Sequence, residues 1–287
     1  MVETLVPAMT ALRPRVDRTR LAAARAALAH CEVCAHRCGV DRLAGPAGIC
    51  GAGSSPRIFS AQVEVGDELE LIPSFTIALS GCNMRCAFCI TGDESWHAAR
   101  GTQIDTAVLA ARAARALENG TAKSILILGG EPTVHLPWLL EFAALLPADA
   151  RLILKTNGLS TAPARELLDG LFDVWLVDFK FGSNSCAMEL SRTPGYRAAL
   201  EETLLWAAEH AELIVRHLLM PGHVECCWKP VAAWIAEHLP EAKVSLRFGY
   251  WPAWKAERIP GLDRPISDTE QADALAIAQH FGLHLIP

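Results

Sequence analysis

The chain has 287 residues, 51% of them apolar and 20% charged, with a formal net charge of -6. That length buries a substantial core as one α/β domain or two small ones, and the composition excludes a disordered chain. The acidic balance argues against a broad nucleic-acid-binding face, although a local basic groove is compatible with it.

In chain order, the stretch MVETLVPAMTALRPRVDRTRLAAARAALAH predicts a loop and then a helix. It lacks the basic segment, the apolar run of about 7 to 15 residues and the cleavage site of a secretory signal. No stretch approaches the roughly 18 uninterrupted apolar residues of a membrane span. A cytoplasmic location without a membrane partner is the expectation. Thiols stay reduced there, so ten cysteines point to metals or catalysis rather than disulfides. Next comes Cys31-x2-Cys34-x3-Cys38-x11-Cys50, four ligands that suffice to close a metal site. A zinc ribbon would pair two CxxC knuckles and the second is missing, so a structural zinc and an auxiliary iron-sulfur cluster both stay open. Residues 1–72 form this N-terminal helix and cysteine-rich cap, and 73–287 the second domain.

From residue 73 short apolar runs alternate with helix-length amphipathic segments. The runs are SFTIALSG (74–81), SILILGGE (124–131), RLILKTNG (151–158), DVWLVDFK (173–180), LIVRHLLMP (213–221) and KVSLRFGYW (243–251). Most are apolar through the middle, as strands covered on both faces should be. Helices are predicted near 104–119, 135–146, 161–170, 196–211, 229–238 and 268–282. Six β-then-α units imply a parallel sheet with right-handed crossovers, an open doubly wound sheet or a partial (β/α)6 TIM-like barrel. Gly129-Gly130-Glu131, Lys155-Thr156-Asn157-Gly158, Asp178-Phe179-Lys180 and Arg216-His217 all fall at or near strand C-termini, the edge where parallel α/β folds bind ligands.

The first strand leads into ALSGCNMRCAFCITGDESW (78–96), with three cysteines, Cys82, Cys86 and Cys89, on one short loop. A structural zinc wants four ligands, whereas three thiolates leave an open position. An iron-sulfur cluster held at three of its irons fits better, the fourth being free to bind something else.

Cys82, Cys86 and Cys89 as CxxxCxxC, with Phe88 just before the last cysteine, resemble the signature of the radical S-adenosylmethionine superfamily. The tail CITGDESW further resembles its pyruvate formate-lyase activating enzyme branch. CEVCAHRCGVDRLAGPAGICGAG, VDFKF and IVRHLLMPG are similar to that branch's uncharacterised activase-like relatives. The likeness spans roughly residues 31–251. It implies a partial barrel, a four-iron four-sulfur cluster on the triplet, and S-adenosylmethionine chelated at the open iron. It also implies reductive cleavage to a 5′-deoxyadenosyl radical, a flavodoxin- or ferredoxin-type reductant, and hydrogen abstraction from a protein or peptide, as in glycyl radical activases. A small-molecule substrate is the alternative. A non-radical zinc- or cluster-binding regulator or scaffold would account for the cysteines but not for the motifs at the strand ends.

By the same resemblance Gly129, Gly130 and Glu131 bind the methionine ammonium. Lys155-Thr156-Asn157-Gly158 matches the activase Asp-Thr-Asn-Gly in all but its first position, where an aspartate helps hold a monovalent cation. The Lys155 ammonium is expected to replace that cation against the cofactor carboxylate, a lysine turned to solvent being the alternative. Asp178 and Lys180 resemble the family's Asp-x-Lys, and residues two apart on a strand share a face. Arg216 and His217 alternate, so Arg216 is expected inward, towards ribose or carboxylate, and His217 in the core. Lys180 is a catalytic candidate. Cys186, Cys226 and Cys227 are left over: one of them, Cys186 first, could donate a hydrogen atom or anchor substrate, or all three are half-buried side chains with no catalytic part. Trp96, Trp228, Trp251 and Trp254 are either pocket or core residues.

Overall fold

The computed structural model describes residues 16–66 and 68–287. The part of the expected N-terminal loop before residue 16 lies outside them. Helix α1 (Arg18–Ala26) opens the described chain, with the Asp17 side chain accepting from Arg20 N at 2.7 Å. Among the described residues no helix is long and apolar enough to cross a membrane.

One eight-stranded sheet follows in sequence order. β1 (Ile58–Glu64) pairs antiparallel with β2 (Ser74–Leu79). Parallel to β2 run β3 (Ser124–Gly129), β4 (Leu152–Thr156), β5 (Val174–Asp178), β6 (Glu212–Leu218), β7 (Lys243–Arg247) and the two-residue β8 (His284–Leu285). The sheet is open, so the architecture is a partial TIM-like barrel built on the six expected parallel strands. The strand at 58–64 falls in the segment expected to be cap. Its half-exposed faces give it the weak signal of an edge strand.

The helices between the strands are α2 (Gly92–Trp96), α3 (Thr106–Glu118), α4 (Leu136–Ala144), α5 (Ala162–Glu166), α6 (Asn184–Ser191), α7 (Tyr196–His210), α8 (Lys229–His238) and α9 (Asp268–His280). Start signals set the clearest boundaries. Asp105 accepts from Ala107 N and Val108 N at 3.0 Å to begin α3, and Ser267 with Glu270 forms a capping box on α9. The eight-residue α6 and the π-helical turn Val224–Trp228 are too short to announce themselves by periodicity.

Alternation along the strands divides the core. Ile125, Ile127, Leu152, Leu154, Trp175, Val177, Leu213 and Val215 face the helices in the larger cluster. Leu126, Ile153, Val174, Leu176 and Ile214 face the concave interior, where Leu71 from the β1–β2 connection packs with them. Continuing that inward face by two residues gives Leu128, Lys155, Asp178 and Arg216. The interior is thus a layered stack in which the last layer, at the C-terminal edge, turns polar.

Candidate functional site

The polar layer floors a cavity of about 260 Å³. Its walls include Cys82, Cys86, Phe88 and Cys89 from the loop after β2, Gly129 and Gly130 at the end of β3, Lys155 and Thr156 from β4 with Asn157 just beyond it, Asp178 from β5 with Lys180 just beyond it, and Arg216 from β6. Elements as far apart in sequence as residues 82 and 216 meet because parallel strands all deliver their C-termini to one edge. A larger surface cleft, about 820 Å³, lies at the opposite ends of the strands among Glu118, Lys123, Arg151, Asp173 and Glu212. It offers no thiol.

The triplet loop is pinned by backbone hydrogen bonds to α6, Arg85 N to Ser191 O at 2.9 Å and Ala87 N to Leu190 O at 2.8 Å. Phe88 anchors its tip edge-on against Phe181, ring centroids 6.0 Å apart, and beside Tyr250. Cys82 is buried and Cys86 and Cys89 are half-buried. Burial pushes the Cys82 thiol well above its usual range, with Cys86 adding to the effect. It pushes Cys86 up to about 12, with Lys180 opposing. Bare thiolates are therefore disfavoured here, and a metal centre supplies the positive charge that offsets their desolvation. Three sulfur donors facing a cavity that also holds cationic side chains fit an iron-sulfur cluster with one open coordination position.

Asp178 is the hub of the floor. Its carboxylate pairs with Lys180 and, at 3.2 Å, with Arg216 Nη1. Burial alone would raise its pKa, but Lys180, then Arg216 and Lys155, overcome this and hold it at about 2. Arg216 also donates from Nε to Glu68 Oε1 at 3.1 Å, and Ser245 donates to the same oxygen at 2.8 Å. Glu68 is fully buried in the β1–β2 connection, and nothing in its local sequence marks it. His217 faces the other way, buried, its Nδ1 donating to Phe179 O at 2.6 Å beneath Trp228.

Glu131 stands behind the wall rather than in it. It is fully buried, and its carboxylate accepts from Thr133 N (3.0 Å), Thr133 Oγ1 (2.8 Å), Thr156 Oγ1 (2.7 Å) and Asn157 N (2.8 Å). These bonds lock the end of β3 to the end of β4. The glycines before it have a local cause too: a Cβ on Gly129, at φ +129°, would sit 2.2 Å from Leu79 N, and one on Gly130 2.2 Å from Gly81 O. Asn157 reaches on to the triplet loop, Nδ2 to Asn83 Oδ1 at 2.7 Å and to Cys82 Sγ at 3.9 Å.

The cysteine-rich segment lies outside the cavity and against its back. His36 Nε2 donates to Asn83 O at 2.7 Å, Ala35 N to Leu159 O at 2.8 Å, and Thr161 N to Val33 O at 3.1 Å. Burial pushes the Cys34 thiol up to about 11, with the charges of Cys50 and Cys38 adding to the effect. The Cys31 Sγ lies 3.7 Å from Nη1 of the buried Arg42. Cys186 is not a lining residue either and sits with Cys226, Cys227 and His223. Of the tryptophans, Trp96 lines the cavity and packs edge-on against Trp254, Lys255 Nζ lies 4.2 Å over Trp96, Trp228 is core and Trp251 is exposed. Met84, Thr91, Ser95 and Leu218 also line the cavity; Thr91 and Ser95 lie in the CITGDESW tail and Leu218 in IVRHLLMPG, motifs that mark the segment without singling these residues out.

Residues 76–235 match the model of the Radical SAM superfamily. An uncharacterised protein of Methanocaldococcus jannaschii is 31% identical over 285 residues, covering 96% of this chain and 82% of its own. The 7-carboxy-7-deazaguanine synthase of Aquifex aeolicus is 35% identical over 89 residues, 30% of this chain and 37% of that protein. Among solved structures, Streptococcus suis SuiB bound to its precursor peptide SuiA superposes with a TM-score of 0.50 at 14% identity, over 71% of this chain. This chain spans 46% of the SuiB chain, and the likeness is one of fold.

Proposed function

The chain belongs to the radical S-adenosylmethionine superfamily, and on that premise we propose that it is an activase-like enzyme drawing hydrogen from a protein or peptide substrate. The superfamily's cofactors are a four-iron four-sulfur cluster and S-adenosylmethionine, whose reductive cleavage supplies a 5′-deoxyadenosyl radical for that abstraction. The observation that carries the reading is the meeting of the Cys82, Cys86 and Cys89 thiols with the polar floor of Lys155, Asp178, Lys180 and Arg216 in one cavity.

Each residue then has a task. Cys82, Cys86 and Cys89 hold three irons, and Phe88 fixes the loop that carries them. The backbone at Gly129 and Gly130 lines the subsite for the methionine ammonium, with Glu131 keeping β3 and β4 in register behind it. The Lys155 ammonium and the Arg216 guanidinium attract a carboxylate or ribose hydroxyls, and Thr156 and Asn157 hold the adjoining wall. Asp178 keeps Lys180 and Arg216 extended into the cavity, and the Lys180 ammonium, whose pKa burial would lower but Asp178 raises, stays protonated as an acid within reach of substrate. Cys31, Cys34, Cys38 and Cys50 hold a second metal, zinc or an iron-sulfur cluster, that stiffens the wall behind Asn83 and Asn157.

A macromolecular substrate is supported by the rim. Ile90 lines the cavity at 75% exposure, and Trp251, two residues beyond the lining Gly249, is 68% exposed. Exposed apolar side chains at a cavity mouth suit a peptide segment. A small-molecule substrate is the second reading, drawn from the partial likeness to the deazaguanine synthase. The electron donor is a flavodoxin or ferredoxin, and the site of action a reducing, cytoplasmic one.

The test is anaerobic reconstitution with iron and zinc counting, low-temperature electron paramagnetic resonance with and without S-adenosylmethionine, and assay of 5′-deoxyadenosine after dithionite. A reduced-cluster signal that shifts with the cofactor is expected, with deoxyadenosine lost in Cys86→Ala. Zinc without deoxyadenosine would overturn the reading and leave a metal-stabilised regulator or scaffold.

A further inference from the structure

Away from the triplet, a second set of soft ligands converges. Cys186 near the start of α6, and His223, Cys226 and Cys227 after β6, bring one ligand atom each within 4.8 Å of one another. The last three are brought together by the turn that follows β6, in which His223 is the residue just before the helical segment and Cys226 and Cys227 lie within it. His223 opens the π-helical turn, its carbonyl accepting from both Cys227 N and Trp228 N at 3.1 Å. Cys226 and Cys227 Sγ are 3.9 Å apart. Two thiolates on one tetrahedral zinc with bonds of about 2.3 Å lie roughly 3.8 Å apart. A four-iron cube stands between its thiolates and needs them wider.

We propose that Cys186, His223, Cys226 and Cys227 bind one tetrahedral zinc ion that ties the first turn of α6 to the turn after β6. The surroundings are those of a built site. His223 Nδ1 lies 2.9 Å from Pro221 O; a carbonyl can only accept, so Nδ1 carries the proton and Nε2 keeps the lone pair for the metal. Gly182 is required against this turn, because a Cβ would lie 2.5 Å from Cys227 O and 2.6 Å from Cys226 O. On binding, the three thiols release their protons to solvent and the zinc takes three thiolates and a neutral imidazole.

The position gives the ion its consequence. The loop that leads into this first turn of α6 carries Lys180, and Phe181, which packs on Phe88 of the triplet loop. The zinc therefore braces one wall of the cavity from outside. It is separate from the N-terminal cysteines, and the proposal does not depend on which radical reaction the protein performs.

The decisive measurement is zinc and iron per chain in the reconstituted protein, for wild type, Cys226→Ser, His223→Ala and His223→Cys. Cys226→Ser and His223→Ala are expected to lose about one zinc per chain with iron unchanged, and His223→Cys, which keeps four ligands, to retain it. Iron content and circular dichroism report folding in every variant. Where Cys226→Ser fails to fold, the His223 pair decides alone. Wild-type zinc in His223→Ala, or loss of the same zinc from His223→Cys, would overturn the proposal, as would a disulfide among these cysteines in the anaerobically prepared wild type.

Discussion

Asp178 feels three cations, Lys180, Arg216 and Lys155, in that order of strength, so Asp178 and Lys155 make different predictions. Replacing Asp178 with Asn removes the carboxylate that offsets the charges of Lys180 and Arg216 in a buried setting. Arg216 retains Glu68, but Lys180 loses its partner. A destabilisation of about 3 kcal/mol is expected, read as a lower urea midpoint at unchanged slope; an unchanged midpoint would mean that the floor is solvated enough to need no counter-charge. Lys155→Ala should weaken S-adenosylmethionine binding to the reconstituted protein by about tenfold or more, the size of one hydrogen bond to a charged group. Calorimetry showing equal affinity would end the idea that this lysine does the work of a bound cation.

At the scale of elements, the site depends on how closely the end of β3 crosses the end of β2. Gly130 N donates to Leu79 O at 2.7 Å and Glu131 N to Gly81 O at 2.9 Å. The backbones touch, and the positive φ of Gly129 is the conformation that permits it. Gly129→Ala forces a Cβ into Leu79 and should cost more than about 3 kcal/mol, because the obstacle is backbone and cannot swing aside. The expected readout is insoluble protein, or a midpoint far below wild type together with poor cluster retention. Near-wild-type stability would show that the β2–β3 edge can part without harm. Glu131 explains why the damage would spread: through Thr156 and Asn157 the same turn positions β4 and, by Asn83, the triplet loop.

For the whole molecule, pH is the broadest probe. His135 and His217 are buried, each donating one ring N–H to a backbone carbonyl, Ser80 O and Phe179 O. Burial lowers both to about 4 from the usual 6.5. The unfolded chain takes up protons first, so stability is complete above pH 6.5 and falls as pH drops towards 4. At about 1.4 kcal/mol per pH unit, the loss approaches about 3 kcal/mol for each histidine. Asp178 acts lower: its carboxylate favours the fold above pH 3.8, and that contribution disappears as pH falls to about 2. Urea midpoints between pH 7.5 and 4.5 should therefore decline, and the double variant His135→Gln, His217→Gln should flatten the decline. A slope unchanged in that variant would place the acid sensitivity elsewhere.

The sequence by itself determined the strand runs and the cysteine triplet and set Lys155, Asp178 and Arg216 at strand C-termini, since a continuous apolar strand with a polar end presents that end at the edge of the sheet; that Lys155 turns to the cavity rather than to solvent was decided only by the curvature of the sheet around it. It marked Glu131 as a residue of the site but not its place, because a carboxylate after two glycines is compatible equally with a ligand and with the four internal donors that it meets. Glu68 carried no local mark: it faces Arg216 from 148 residues away, through a connection whose path no periodicity describes. Likewise His223 and Cys186 are unremarkable singly. Only the packing of the β5–α6 loop on the π-helical turn, allowed by Gly182, brings their ligand atoms to one point. Local patterning sets what each strand presents, whereas contacts between loops depend on backbone approach distances that exist only once the sheet has formed.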